Sequence, residues 1–299
     1  MNGVVAPLLP SALGGSAGAF ALLFSASGMA IDVQGHRGTR GNLPENTLPA
    51  FKRALEMGVD TLELDCGITR DGVVVIHHDR RLNPDVARGP DGKWVTAPSP
   101  TIYSLTFDEL QKYDVGRLRP GSEYAKRFPH QKPIDGTRVP KLSALFDMAK
   151  GTRARFNIET KLLPTHADET VGPEAFARAL IAEFRKAGMT RRAVIQSFDY
   201  RTLKIVEKEA PEIETVYLTE AVDSDPARLH ALGARIWSPD MKAMTPQKVA
   251  QAHQLGMRVV IWTANEPAEI DAMIEAGVDG IISDYPERVI DTLRKRKLR

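Results

Sequence analysis

One rhythm runs through this chain, and few folds can hold it. Short apolar runs of β character begin near residues 31, 61, 155, 193, 215, 234, 258 and 279, and a segment of helical periodicity follows each. Helices predicted over 48–57, 173–187 and 267–276 stop at Gly58, Gly188 and Gly277, where a chain can leave a helix through a left-handed turn. Eight strands alternating with helices over about 250 residues is the size of a (β/α)8 TIM barrel. An open doubly wound sheet is the rival, but no glycine-rich dinucleotide loop follows the first strand.

One connection departs from the rhythm. The run Thr61–Thr69 is followed by Arg70-Asp71-Gly72, a hairpin signal, and then by a return strand that ends at His77-His78-Asp79. A parallel crossover needs a dozen or more residues, so this arm is predicted to run antiparallel. Residues 80–140 then lose the pattern: Pro and Gly are frequent, and only Thr106–Tyr113, capped by Thr106 with Glu109 three residues on, reads as a helix. Such a stretch is too long for a simple connection and reads as an insertion over one face, after the second strand's hairpin.

The composition is that of a globular chain with a large core, 42% hydrophobic and 26% charged. A net charge of +2 over 299 residues suggests no nucleic-acid footprint, so an anionic substrate must be held by local cations. Cys66 is the single cysteine and cannot form an internal disulfide. Residues 1–31 carry no Asp, Glu, Lys or Arg, and an apolar run from Ala17 to Leu23 precedes small residues from Ser25 to Ala30. That order reads as a signal peptide over 1–30, cleaved near Ser27 to Ala30, although a basic n-region is missing. Pro7, Pro10, Gly14 and Gly15 interrupt any membrane helix, so no stable membrane insertion is expected after leader removal. A single domain over 31–299, periplasmic or secreted, is the expectation.

In a barrel the chemistry sits at the C-terminal strand ends, and the reactive residues of this chain fall there. By alternation Glu63 and Asp65 share a face, which lets two carboxylates converge on one cation. With Glu159 they offer hard oxygen ligands, suited to one divalent cation, Ca2+ or Mg2+, that would polarise a phosphoryl oxygen. The alternative is an ion-pair network of these acids with Arg37 and Lys161. His36 and His78 are the candidate acid and base, since imidazole titrates near neutrality; His77 faces away from His78 by alternation and reads as structural. Arg37 and Lys161 suit anionic oxygens, and Phe198 and Trp262 suit a pocket wall or plain packing. Ser197 lacks a nucleophile elbow, and Cys66 lies on the opposite face from Asp65.

These residues sit in a wider set: His36-Arg37-Gly38, Pro44-Glu45-Asn46-Thr47, Glu63-Leu64-Asp65, Asp71-Gly72, His78-Asp79, Asn157-Ile158-Glu159, Lys161, Ser197-Phe198, Trp262-Thr263, Asn265 and Ser283-Asp284. In this order the set resembles the glycerophosphodiester phosphodiesterase family, across nearly the whole chain beyond the leader. The resemblance implies a TIM barrel with an insertion after the His-Asp motif. It also implies hydrolysis of small-molecule glycerophosphodiesters, such as glycerophosphocholine or glycerophosphoethanolamine, to sn-glycerol 3-phosphate and an alcohol. Carried over, His36 and His78 are the acid–base pair, Glu63, Asp65 and Glu159 the metal ligands, and Arg37 and Lys161 the phosphate-binding cations. The runners-up are a related phospholipase-type barrel enzyme cleaving another diester, and an exported binding protein that keeps the fold without turnover.

Overall fold

A computed structural model describes residue 1, residues 30–166 and residues 168–299. Residues 2–29 of the expected leader, with most of its cleavage region, lie outside the described residues. Eight parallel strands close into a ring: β1 (Asp32–Gly35), β2 (Thr61–Ile68), β4 (Arg155–Thr160), β5 (Ala193–Ser197), β6 (Glu214–Thr219), β7 (Ile236–Pro239), β8 (Arg258–Trp262) and β9 (Gly280–Ser283). The pairing runs β1-β9-β8-β7-β6-β5-β4-β2, and β1 pairs with β2 to complete the barrel. β3 (Val74–Ile76) lies antiparallel to β2, with Cys66 opposite Ile76, as the short turn requires.

Helices α1 (Leu48–Met57), α4 (Leu142–Ala149), α5 (Pro173–Ala187), α6 (Tyr200–Glu209), α7 (Pro226–Ala231), α8 (Pro246–Gln254), α9 (Pro267–Ala276) and α10 (Pro286–Lys295) connect the strands. The main core lies between strands and helices. Leu62, Leu64, Cys66, Phe156 and Ile158 point outward into it and meet Phe51, Phe146, Phe176 and Phe184. Phe146 packs edge-on against Phe156 at 5.0 Å and Phe184 at 5.8 Å. Fully burying each such ring contributes about 1.5–3 kcal/mol. Because Leu62, Leu64 and Cys66 face the helices, Glu63 and Asp65 face the barrel interior. β7 begins at Ile236, two residues later than the apolar pattern suggests, because the Ala234 N–H is still tied to the Leu229 carbonyl as α7 ends.

Between β3 and α4 the chain packs a second core from Val75, Leu82, Val86, Ile102, Leu110, Val115, Phe128 and Val139. Within it, α2 (Phe107–Leu110) carries the expected capping box between Thr106 and Glu109. α2 stops short of Tyr113 because Lys112 and Tyr113 bond three residues back, to Glu109 and Leu110. A further short helix, α3 (Glu123–Arg127), was not expected from the sequence; Ser122 caps it by accepting from the Ala125 N–H.

Candidate active site

The loop after β1 is folded so tightly that only glycine fits at its ends. At Gly35 a Cβ would lie 2.3 Å from the Gly38 carbonyl oxygen, and at Gly38, with φ +85°, it would lie 2.8 Å from the backbone of Ala50. Arg37 between them also adopts a left-handed backbone, φ +49°. This turn aims the Arg37 N–H at Glu63 Oε2, 3.0 Å away, and hangs His36 over the barrel mouth.

His36 and His78 are both anchored through Nδ1. The His36 Nδ1 meets Asp284 Oδ1 at 2.7 Å, and its Nε2 lies 3.8 Å from Glu63. Arg40 grips the same Asp284 by two bonds of 2.7 and 3.1 Å, and Asn265 adds a third donor at 2.8 Å. Burial, then Arg40, pushes the His36 imidazole down to about 4, so the ring is neutral at pH 7. Burial would raise Asp284, but Arg40 and His36 outweigh it and hold the carboxyl well below its usual range. His78 meets Asp79 Oδ1 at 2.7 Å, and burial with Arg37 lowers its pKa. His77 turns away to the carbonyl of Asp79, at 2.8 Å, so of the pair it is His78 that lines the cavity.

Glu63, Asp65 and Glu159 converge, with one oxygen from each within 4.8 Å of the others. The register that pairs Asp65 with Glu159 brings the acids of β2 and β4 to one level. Asp65 is charged: burial would raise it, but Arg37, His78 and Lys161 together hold it well below the carboxylate range. Arg37 Nε stands 3.2 Å from Asp65, out of line for a hydrogen bond, while Arg37 NH1 donates to Glu45 at 2.8 Å. Lys161 pairs with Glu159 at 2.7 Å and approaches Asp65 at 3.7 Å. Even so, burial pushes Glu159 up to about 7. Glu63 has no Lys or Arg within ion-pair distance among the described residues; burial and the neighbouring Asp65 raise it well above the usual value. The ion-pair network therefore exists but leaves one buried acid unmatched. Three buried hard-oxygen donors, one of them without a cation, fit a divalent ion.

His36, Arg37, Glu63, His78, Glu159 and Lys161 line one cavity of about 750 Å³ at the C-terminal strand ends. Trp262 walls it, its indole N–H on the Ser238 carbonyl at 3.0 Å and its ring edge-on to Phe198. Ser197 is fully buried, with its Oγ taken up by Thr160 and the Asp199 N–H, and Cys66 lies in the outer core. Three neighbours had no place in the sequence reading, Arg40, Tyr124 and Gln196, and Glu45 entered it only as part of the Pro44-Glu45-Asn46-Thr47 motif. Gln196 donates to Glu63 Oε1 at 2.7 Å and was readable as a polar residue at an inward position of β5. Tyr124 comes from α3: its hydroxyl donates to Glu45 and accepts from Arg37 NH1 at 3.4 Å and Arg40 NH1 at 3.3 Å.

Fold and site together define a (β/α)8-barrel enzyme whose centre combines clustered acids with carboxylate-anchored imidazoles. The chain belongs to the glycerophosphoryl diester phosphodiesterase family, whose sequence profile matches residues 36–288. A glycerophosphodiester phosphodiesterase of Caldanaerobacter subterraneus is 31% identical over 265 residues, which cover 88% of this chain and 98% of the relative. A solved structure from Silicibacter pomeroyi, assigned to the glycerophosphoryl diester phosphodiesterases, is 34% identical with a TM-score of 0.85, covering 90% of this chain and 94% of that one. A phosphodiesterase of Oleispira antarctica, solved with the product sn-glycerol-3-phosphate, shares the fold at 23% identity and a TM-score of 0.71, covering 89% of this chain and 97% of that one. The chain is accordingly a phosphoric diester hydrolase that acts on glycerophosphodiesters.

Proposed function

We propose that the chain hydrolyses glycerophosphodiesters such as glycerophosphocholine and glycerophosphoethanolamine to sn-glycerol 3-phosphate and an alcohol. The observation that carries this reading is the pair of imidazoles, each fixed at Nδ1 by a carboxylate, beside the three-acid cluster. Glu63, Asp65 and Glu159 would hold one divalent cation, Ca2+ or Mg2+. When bound, it supplies charge stabilisation for the phosphoryl oxygens.

The remaining work belongs to side chains. His36 keeps its Nδ1 proton on Asp284, so the unprotonated Nε2 accepts the proton of the attacking hydroxyl. His78, held at Nδ1 by Asp79, takes up a second proton at Nε2 when the anionic diester binds beside it and gives that proton to the leaving alkoxide. Arg37 and Lys161 place fixed positive charge where phosphate oxygens must sit, and Trp262 excludes water from one side. The test is sn-glycerol 3-phosphate release from glycerophosphocholine with Ca2+ or Mg2+, repeated with chelator, beside His36→Ala and His78→Ala. Release that needs the cation and falls at least about a hundredfold in each variant is expected. Unchanged turnover in either folded variant would remove that histidine from the mechanism.

A further inference from the structure

The cavity's walls differ in charge around the ring. β1 and β2 are neighbours, and β6 stands across the barrel from β1. On the β6 side, Leu218, Phe198 and Trp262 form an apolar wall whose one carboxylate, Glu220, has no cation partner among the described residues. Over β1, β2 and β4, the segment after β3 brings three guanidinium groups to the mouth: Arg80 and Arg81 beside Glu169, which follows β4, and Arg127 on α3, whose Tyr124 meets the loop after β1. Arg80 and Arg81 each give Nε–H to the same carboxylate, Glu169, at 2.7 Å, so two cations share one anion. Arg81 also donates to the Ser99 carbonyl, whereas among the described residues Arg80 makes its contact through Nε alone, which leaves its terminal N–H groups for a ligand. Arg127 is exposed and has no carboxylate partner among the described residues; its guanidinium lies 5.6 Å over the rings of Tyr124 and Phe128.

Depth sorts these charges. Inside the site Arg40 is matched by Asp284, Arg37 by Glu45 and Asp65, and Lys161 by Glu159. Unmatched positive charge therefore stands at the rim, one aromatic ring outward from Arg37, because Tyr124 touches Arg37 with its hydroxyl and Arg127 with its face. A phosphodiester bound at Arg37 has two ester arms, and an arm lying away from β6 enters the part of the cavity lined by Arg127 and Arg80. We infer that these two arginines form a subsite for a second phosphoryl group on the alcohol arm. The chain then prefers glycerophosphodiesters whose alcohol is itself phosphorylated over esters of a cationic alcohol. Planar guanidinium groups suit phosphate oxygens, and Glu220 disfavours that anion at the opposite wall. This inference rests on the proposed function.

Bis(glycerophospho)glycerol and glycerophosphocholine are the probes. Hydrolysis of one diester of the former consumes one water, breaks one P–O bond and yields sn-glycerol 3-phosphate and glycerophosphoglycerol. The measured quantity is the ratio of kcat/KM for the two substrates, in the wild type and in Arg127→Gln and Arg80→Gln. A ratio above one is expected in the wild type, lowered about two- to fivefold by each substitution, the range an exposed charge contact supports. The ratio should also shrink as ionic strength rises. A purely structural role would lower both substrates alike and leave the ratio unmoved, which overturns the subsite. So does a wild-type ratio at or below one with glycerophosphocholine still cleaved. Release from neither substrate, with cation supplied and the protein folded, overturns the proposed function and the subsite with it.

Discussion

His36 is neutral because of its surroundings, and that has a consequence for stability that can be measured. The folded ring titrates near 4, whereas a histidine in the unfolded chain titrates near 6.5. Between those values the unfolded chain binds a proton that the folded chain refuses. The contribution of this residue is therefore complete above pH 6.5 and is lost as pH falls toward 4. In metal-free protein, denaturant unfolding across that window should show a wild-type slope steeper than that of His36→Asn by up to one proton, about 1.4 kcal/mol per pH unit. Equal slopes would mean that His36 is not held neutral by the fold. At this scale the sequence carries parity well and pairing poorly. Alternation alone puts Glu63 and Asp65 on one face, but nothing in it tells that His36 leans on Asp284, 248 residues away, or that Arg40 grips the same carboxylate.

Among the elements, α3 does most to tie the segment between β3 and α4 to the site. Tyr124 joins Glu45, Arg37 and Arg40 through one hydroxyl. Tyr124→Phe keeps the ring that Arg127 stacks on and removes that junction. A hydrogen bond to a charged partner contributes about 1.5 kcal/mol or more, so a rise in KM of about tenfold is expected, with kcat changed less. Steady-state kinetics on glycerophosphocholine checks it; an unchanged KM would make the tyrosine a packing residue. The barrel helices were legible because glycines such as Gly58 and Gly188 end them and proline or threonine starts them. α3 was not, since five residues with none buried give no periodic signal, and its only mark is the capping Ser122.

For the whole molecule, the eightfold alternation could be read from the chain because each strand buries an apolar face against helices, and the closure of β1 on both β2 and β9 follows from it. The balance of charge inside the barrel could not, because it depends on how many cations reach the acids in three dimensions. That balance separates the two readings of the acid cluster. Glu63 and Asp65 stand on β2, Glu159 on β4, and the backbone after β1 donates to Glu63, so a cation bound there would tie neighbouring strands of the closed ring. Binding to the folded state alone stabilises it by about 2.7 kcal/mol at a ligand concentration of 100 Kd. In a barrel of this size that corresponds to a rise in Tm of roughly 5–10 °C. Thermal unfolding with Ca2+, with Mg2+ and with chelator should show the rise in the wild type, and the larger shift identifies the preferred ion. In Glu63→Gln, which removes the one acid without a Lys or Arg partner, the rise should vanish. A wild-type Tm unmoved by either ion would show that Arg37 and Lys161 satisfy the cluster by themselves, and that the acids hold the barrel mouth together as ion pairs.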